Sequence, residues 1–373
     1  MPSPTEGGAG CKLHSRDCLG TEFGESRAMI ASIAFRNFKA LRQTSVELSP
    51  FNLVIGPNGS GKSSLIEALV RLRTLARLPL AGGGREPDRS ASAPEVSFRF
   101  FPPFDGWEAV MSCASDDKCD LLNVFPLSKG EGTGTWEELR KRLLRLRRFE
   151  LDHNAIAMAA PRRENQELKA NGGNLAALVL RWKEEHPAIF AAWATQVLRV
   201  FPEYDDIAIH DVSGNDLALG MRITGERTRV PAQDLSQGTL YAMVIFALAV
   251  DPSPPSIVCI EELDRGLHPR ILREIQDAMY SLSHPASQGL GREPVQVLAT
   301  SHSPYLLDLY RDHVEEVILT EKIGTAAHFK KLTERKDLSE LLEGASLGDL
   351  WFTGILGGVP ACDAGGTVTF GSR

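Results

Sequence analysis

The stretch that decides the fold is "FNLVIGPNGSGKSS" at residues 51–64. A short apolar strand runs into a glycine-rich loop, and apolar residues then recur at helical spacing. The loop satisfies the pattern G-x-x-x-x-G-K-[ST] with Gly56, Gly61, Lys62 and Ser63. Because this pattern requires a strand before it and a helix after it, and both are indicated here, the sequence predicts a phosphate-binding loop.

Each part of the loop has a chemical role in that prediction. Glycines let the backbone curl so that its N–H groups point at phosphate oxygens. Lys62 supplies positive charge near the β- and γ-phosphates, and the Ser63 hydroxyl is a ligand for Mg²⁺. The alternative, a glycine-rich turn with a chance lysine, is disfavoured by the flanking elements. The residues predicted to hold ATP are Gly56, Pro57, Asn58, Gly59, Ser60, Gly61, Lys62, Ser63 and Ser64.

A second apolar strand ends in a doubled negative charge, in "SIVCIEELDRG" at 256–266. Alone, Glu261 and Glu262 would read as the start of a solvated helix face. A phosphate loop changes that reading, because such sites use an acidic residue at the end of a neighbouring strand for the Mg²⁺ shell. We therefore predict Glu261 as the carboxylate on the metal side and Glu262 as the general base that orients water. Glu261 stands where most enzymes of this kind use aspartate.

Composition places the chain among globular proteins. Its 373 residues are 43% hydrophobic and 24% charged, which suits one large domain or two ordinary ones. The longest uncharged apolar run, 240–250, is well short of the ~20 residues that a membrane-spanning helix needs. The N-terminus also lacks the apolar core of a secretory signal. We expect a soluble, cytoplasmic protein with no membrane partner.

The cysteines argue against a disulfide-stabilised or zinc-binding protein, and the net charge argues against a surface coated for nucleic acid. The six cysteines have no C-x-x-C pair and no histidine at metal-ligand spacing, so we interpret them as free thiols rather than as a disulfide framework or a zinc site. They are Cys11, Cys18, Cys113, Cys119, Cys259 and Cys362. A net charge of −7 does not suggest a surface coated for nucleic acid. Any such contact must be local.

The pattern along the chain predicts five segments. Residues 1–28 lack hydrophobic periodicity, so we expect a dispensable tail and a true start at either Met1 or Met29. Strand-like alternation begins at Met29, a helix is predicted over 174–201, and buried strands alternate with helices in the C-terminal third, which predicts a parallel sheet covered on both faces. The predicted segments are the tail (1–28), an N-terminal ATPase lobe with the phosphate loop (29–80), an inserted α+β subdomain (81–230), a C-terminal lobe (231–320) and a C-terminal extension (321–373).

Further motifs carry a family resemblance. One motif precedes the phosphate loop and three follow it: "FRNFKAL" at 35–41, then "DLSQGT" at 234–239, "EELDRGLHP" at 261–269 and "VLATSHSPYLLD" at 297–308. In motif order and spacing the chain resembles the ABC-type ATPase heads of the RecF, SMC and OLD group, and in particular small predicted bacterial ATPases of the AAA family. The resemblance implies an α/β P-loop NTPase with an ABC-type head: a parallel core sheet flanked by helices, an N-terminal antiparallel β subdomain and an inserted α+β subdomain.

The resemblance also assigns residues. It implies that Ser236 and Gly238 reach the γ-phosphate of ATP held by an opposite protomer, that His302 is a switch histidine, and that Lys39 contacts nucleotide. A buried structural histidine remains an alternative for His302. His268 lies where such heads keep residues that cross the dimer interface, although a local role at a helix start fits Pro269 equally.

The sequence departs from the group in two places. Leu263 replaces the proline usual after the glutamates, and Gln237 and Thr239 replace signature residues common in transporters. In addition, no glutamine loop can be placed between the first helix and Ser236. The predicted metal shell therefore stays incomplete.

The resemblance implies an ATP-dependent switch. One protomer cannot complete its own site, so ATP and Mg²⁺ would close a head-to-tail homodimer and hydrolysis would release it. We favour a role in DNA repair, DNA maintenance or anti-phage defence, with DNA and a separate nuclease or other effector as candidate partners. The alternatives are the nucleotide-binding subunit of an ABC transporter and a binding module without ATPase activity.

A basic run, "LRKRLLRLRR" at 139–148, is the candidate DNA contact. Its leucines fall at helical spacing and it carries six basic residues, which could meet a phosphate backbone or form a solvated helix face. No heptad repeat is visible between Lys62 and Leu235. We therefore expect a compact insertion rather than a coiled coil.

Overall fold

The computed structural model describes residues 29–78, 93–115, 118–127, 132–164 and 166–357. The predicted tail at 1–28 and the end of the predicted C-terminal extension lie outside these ranges. Within them, no helix combines the length and apolar character that crossing a membrane requires.

Strands and helices alternate along most of the chain. The strands are β1 (Ile30–Phe38), β2 (Leu41–Glu47), β3 (Phe51–Ile55), β4 (Glu95–Phe100), β5 (Trp107–Ser115), β6 (Lys118–Pro126), β7 (Arg147–Phe149), β8 (Ala160–Pro161), β9 (Tyr204–Asp211), β10 (Asp216–Ile223), β11 (Arg229–Pro231), β12 (Ile257–Ile260), β13 (Gln296–Ser301), β14 (Val317–Ile323) and β15 (Ala326–Lys331). The α-helices are α1 (Lys62–Ala76), α2 (Trp136–Leu144), α3 (His153–Ala157), α4 (Leu175–Glu185), α5 (Pro187–Val200), α6 (Gln237–Val250), α7 (Leu272–Ser283), α8 (Pro304–Asp308), α9 (Leu338–Gly344) and α10 (Leu347–Phe352).

The core is a six-stranded sheet in the order β15-β14-β3-β13-β12-β7. All neighbouring pairs are parallel except β14 with β15. Every residue of β3, β12 and β13 is buried, as expected for strands covered on both faces. The predicted parallel sheet is confirmed, and the carboxyl ends of β3, β12 and β13 lie along one edge.

Two hydrophobic clusters cover the two faces of this sheet. Because side chains alternate along a strand, Leu53 belongs to one cluster and Val54 to the other. The cluster around Leu53 includes α6, a helix that is apolar all round and buried from Gly238 to Ala249. The cluster around Val54 includes α1 and the antiparallel sheet β2-β1-β4-β5-β6. The predicted N-terminal antiparallel sheet is therefore confirmed.

The predicted helix over 174–201 is wrong in one respect, because the structure has two helices there. α4 ends at Glu185 and α5 begins at Pro187. Proline has no N–H to donate and disfavours helical geometry in the residue before it, so the helix breaks at His186. Both helices still pack into the core, through Trp182 and Trp193. β9, β10, β11 and β8 form a small antiparallel sheet beside them.

The basic run at 139–148 is not one helix. α2 ends at Leu144, and Arg147–Phe149 forms β7, the edge strand of the core sheet paired with β12. Leu139, Leu143 and Leu146 are fully buried, so their spacing reflects packing against the core. A three-residue strand is too short to give a periodic signal of its own.

The interpretation of all cysteines as free thiols is wrong for one pair. Cys113 and Cys119 form a disulfide. They lie opposite each other in the β5–β6 register, so hairpin pairing rather than a sequence motif brings them together. Cys259 on β12 is a buried free thiol, and Cys11, Cys18 and Cys362 lie outside the described residues.

The division into five segments stays a prediction. The sheet that begins with β1 continues into β4, β5 and β6, which lie beyond residue 81, where the predicted inserted subdomain begins.

Candidate functional site

The phosphate loop joins β3 to α1 at the carboxyl edge of the core sheet. Gly59 and Gly61 have positive φ angles of 72° and 93°, a conformation that glycine adopts at little cost. Gly56 is needed for space, because a Cβ there would lie 1.8 Å from Thr320 Oγ1 of β14. Asn58 and Gly59 are exposed. The tip of the loop, at Asn58 and Gly59, is thus exposed, whereas its start at Gly56 is packed against the sheet.

Lys62 folds back over the loop. Its Nζ donates to the carbonyl oxygens of Gly56 and Pro57, at 2.7 and 2.8 Å. Burial lowers the pKa of Lys62 to about 8, although Glu262 and Glu261 act to raise it. A buried ammonium whose hydrogen-bond partners among the described residues are carbonyl oxygens gains from an anion, and a phosphate group is the anion that this loop accommodates.

Ser63 connects the loop to the acidic strand. Its Oγ donates to Glu261 Oε2 at 2.9 Å, so the two predicted metal ligands are adjacent. Both are oxygen ligands, which Mg²⁺ prefers. No group of three or more His, Cys, Asp and Glu side chains that could hold a metal occurs among the described residues. A hydroxyl and a single carboxylate fit Mg²⁺, since this ion keeps several waters and binds nucleotide phosphates.

β13 holds the predicted general base in an uncommon backbone conformation. Glu262 has φ 51°, in the left-handed region, which costs ~1–2 kcal/mol for a residue with a Cβ. Its N–H donates to Thr300 Oγ1, and the N–H of Leu263 donates to the Thr300 carbonyl, both at 2.9 Å. The Glu262 side chain is 52% exposed, and Arg265 Nε lies 3.7 Å from it. The strained backbone thus presents a half-exposed carboxylate that has the Arg265 guanidinium as a neighbouring cation.

His302 follows the carboxyl end of β13 and lies within electrostatic reach of the same groups. Burial lowers its pKa and nearby Lys62 lowers it further, while Asp264 and Glu262 oppose the shift. A neutral imidazole, which can donate one hydrogen bond, therefore predominates at neutral pH. Only part of the His302 side chain is desolvated, and the residue as a whole is exposed, which disfavours the alternative of a buried structural histidine.

Lys39 lies in the β1–β2 turn with a positive φ of 53°, and its ammonium pairs with Glu67 of α1. The turn packs close to the phosphate loop, because a Cβ on Gly61 would lie 2.8 Å from Leu41. The structure thus places Lys39 beside α1, held by a carboxylate of that helix. Its predicted contact with nucleotide stays a prediction.

Ser236 and Gly238 lie at the start of α6. Ser236 caps the helix by accepting from the N–H of Thr239 at 3.1 Å. These two residues line a cavity of about 310 Å³ together with His268 and Arg270, and no phosphate-loop residue lines it. His268 Nδ1 accepts from the N–H of Arg270 at 3.1 Å, so the local role at a helix start is present. The structure groups Ser236 with the cavity rather than with Lys62.

Sequence reasoning missed three residues at this edge. Arg148 of β7 contacts Glu261, with Nη2 2.7 Å from Oε1. Thr300 supports Glu262 from within a buried strand, where a threonine gives no functional signal. Glu150, which follows β7, lines a small cavity with Glu261, Glu262 and Tyr241. The sequence did not single out Arg148, because it is one of six basic residues in the run at 139–148. The pairing of β7 with β12 is what brings Arg148 and Glu150 close to Glu261.

Two family models match the chain. The first is described as "AAA domain, putative AbiEii toxin, Type IV TA system" and matches residues 128–308. The second is described as "AAA ATPase domain" and matches residues 29–121. None of the curated proteins matches this chain in sequence.

Two solved structures are similar in fold. One is an Smc head bound to the C-winged helix domain of ScpA, with a TM-score of 0.53 and 15% identity, covering 81% of this chain and 96% of the other. The second is an Smc head with an extended coiled coil from Pyrococcus furiosus, bound to the C-terminal domain of ScpA. It has a TM-score of 0.52 and 14% identity, covering 84% of this chain and 99% of the other. The two models describe AAA-type ATPase domains and together match 29–121 and 128–308, and the fold of the chain is similar to that of Smc heads.

Proposed function

We propose that the chain binds ATP with Mg²⁺ through the phosphate loop and hydrolyses it. The observation that carries the proposal is the contact between Ser63 and Glu261 beside the buried Lys62. One loop then offers backbone N–H groups, a cation and a hydroxyl to phosphates, while a neighbouring strand offers a carboxylate. When bound, Mg²⁺ would neutralise charge on the phosphate oxygens.

Each predicted catalytic residue has a task in this proposal. Lys62 leaves the Gly56 and Pro57 carbonyls and pairs with phosphate. Glu262 orients a water and accepts its proton, a role that its half-exposed carboxylate suits. Neutral His302 donates a hydrogen bond to the γ-phosphate.

We further propose a nucleotide-dependent dimer. Ser236 and Gly238 lie at a helix N-terminus, where anions bind favourably, and they are grouped in a cavity without phosphate-loop residues. A second copy, placed head to tail, would bring its own bound ATP to this helix start. ATP would then close the dimer and hydrolysis would open it, which makes the nucleotide a switch.

We propose a cytoplasmic protein of anti-phage defence or DNA repair and maintenance that acts with an effector. The AbiEii description of the matching family model supports defence, and the ScpA domains bound to the Smc heads support an effector docked on the head.

Residues 139–148 are a poor candidate for the DNA contact. Arg140 donates to the Ala76 carbonyl, Arg145 to the Pro254 carbonyl, and Arg147 pairs with Glu167. Guanidinium groups engaged within the chain are less available to a phosphate backbone. We therefore propose that any DNA contact lies elsewhere on the head or on the partner.

The first experiment uses Glu262→Gln. Removing the base while keeping the side chain's shape should slow hydrolysis and trap the ATP-bound dimer. Light scattering with ATP and Mg²⁺ should show a dimer for this variant, and a monomer when Lys62→Ala is added. The control is Glu343→Gln, an exposed glutamate of α9. A Glu262→Gln variant that stays monomeric with saturating ATP would refute the switch.

The second experiment tests whether the site is shared between chains. Lys62→Ala removes the phosphate contact of one protomer, and Ser236→Arg blocks the helix start. Each variant alone should lack ATP hydrolysis. Mixed together, they can assemble one complete site from the intact Lys62 of one chain and the intact Ser236 of the other. Recovery of turnover on mixing supports the head-to-tail arrangement, and two variants that stay inactive together argue against it.

A further inference from the structure

Arg148 enters the candidate nucleotide site from an unexpected strand. β7 is the edge strand of the core sheet and runs parallel to β12, with Arg148 opposite Cys259. The guanidinium Nη2 lies 2.7 Å from Glu261 Oε1 and 3.0 Å from Glu150 Oε2. One cation therefore contacts two carboxylates, one at the end of each strand.

The contact divides the two oxygens of Glu261 between different partners. Oε1 faces Arg148, and Oε2 accepts the hydrogen bond from Ser63 at 2.9 Å. A glutamate has one more rotatable bond than an aspartate, so its carboxylate has more freedom to lose when a metal binds. The close ion pair between Arg148 and one of these oxygens restricts much of that freedom.

We propose that Arg148 is a positioning residue for the metal, which holds Glu261 so that Oε2 alone serves Mg²⁺ beside Ser63. The inference rests on the proposed function, in which Ser63 and Glu261 take the metal. It accounts for a glutamate where an aspartate is usual: the longer side chain spans from β12 to both Ser63 and Arg148.

A second reading makes the opposite prediction. If Arg148 only repels Mg²⁺ as a neighbouring positive charge, its removal should strengthen metal binding. If it positions Glu261, its removal should weaken metal binding. The sign of the change therefore separates the two.

The chain supplies a matched control in the preceding residue. Arg147 lies on the same strand, but successive side chains point to opposite faces, and Arg147 pairs with Glu167 rather than with Glu261. Both arginines are partly exposed, at 31% and 37%. Loss of either removes one positive charge from β7, whereas only loss of Arg148 frees Glu261.

The experiment measures equilibrium binding of a fluorescent ATP analogue, without turnover, as Mg²⁺ is titrated. We expect Arg148→Ala to raise the Mg²⁺ concentration at half-saturation about tenfold, as is typical when a partner of a metal ligand is lost. Arg148→Lys should recover part of the loss, and Arg147→Ala should match the wild type. Unchanged or tighter Mg²⁺ dependence in Arg148→Ala would overturn the inference.

A double-mutant cycle ties the effect to Glu261. In a Glu261→Gln background the carboxylate is gone, so adding Arg148→Ala should change Mg²⁺ dependence far less than it does in the wild type. An equal change in both backgrounds would mean that Arg148 acts through something other than Glu261. If the wild type itself binds the analogue without any Mg²⁺ dependence, the proposed function fails; if only Arg148→Ala is without effect, the inference alone fails.

Discussion

Glu316 is a buried carboxyl group at the edge of the core sheet opposite the phosphate loop. It precedes β14, is 3% exposed, and its Oε2 has no hydrogen-bond partner in the part of the chain that the structure describes. Burial raises its pKa to about 8, with Glu315 adding to the shift and Lys331 opposing it. His284 lies 3.6 Å away, but burial lowers the pKa of His284 and favours its neutral form. The folded protein thus holds a proton on Glu316 that the unfolded chain releases at neutral pH.

This proton makes stability depend on pH. Between about pH 4.5 and 8 the folded state binds more protons at Glu316 than the unfolded state, so its contribution to the free energy of unfolding falls as the pH rises. Burial lowers the pKa of Lys331 to about 8. Lys331 therefore makes the free energy of unfolding rise with pH, but only above about pH 8. Glu316→Gln should remove the fall, worth on the order of 4 kcal/mol at pH 8. Urea unfolding at pH 5 and pH 8 measures it, with Glu343→Gln as the control; an equal pH slope in Glu316→Gln and wild type would contradict the assignment.

At the scale of elements, the start of α6 is packed against the loop that carries the predicted base. A Cβ on Gly238 would lie 2.5 Å from the carbonyl oxygen of Gly266, a backbone atom. Gly266 follows Glu262 in the same loop and has a positive φ of 67°. The start of the helix that carries Ser236 is therefore packed directly against the loop that carries Glu262.

Gly238→Ala tests this close packing. The added methyl should push the loop away, lower the free energy of unfolding by about 1–3 kcal/mol and reduce ATP hydrolysis, while the phosphate loop still binds ATP. Gly344→Ala is the control, because nothing lies within 4 Å of a Cβ at that position. Thermal unfolding and turnover measured together check the result. A Gly238→Ala protein as stable and active as Gly344→Ala would show that the contact is dispensable.

At the scale of the whole molecule, the core sheet contributes side chains to both hydrophobic clusters, one on each of its faces. Leu53 and Val54 are adjacent, both fully buried, and face opposite clusters. Loss of either cluster exposes one face of β3, so the other cannot remain stable alone. We expect the described part of the chain to unfold as one cooperative unit.

Calorimetry can test that cooperativity. Leu53→Ala should cost about 2–5 kcal/mol, and Val54→Ala less, because it removes fewer buried atoms. Both variants should shift the same heat-capacity peak to lower temperature, although they remove contacts on opposite faces. A second peak in one variant would instead show that the two clusters unfold separately.

Local chemistry along the chain determined the fold class and most of the candidate site. The loop at 56–64, the strand that ends at Glu261 and Glu262, and His302 after β13 are each recognised from consecutive residues, because a strand, a turn and a helix start are short-range structures. The parallel sheet followed from uninterrupted apolar strands, which only burial on both faces explains.

Only the tertiary structure decided how these pieces meet. Pairing of β7 with β12 brings Arg148 to Glu261, the β5–β6 register joins Cys113 to Cys119, and packing of α6 sets Gly238 against Gly266. Each of these depends on strand register or on contact between elements distant in sequence. A sequence pattern carries no such information, because register and packing are settled by the burial of whole faces and not by any single short segment.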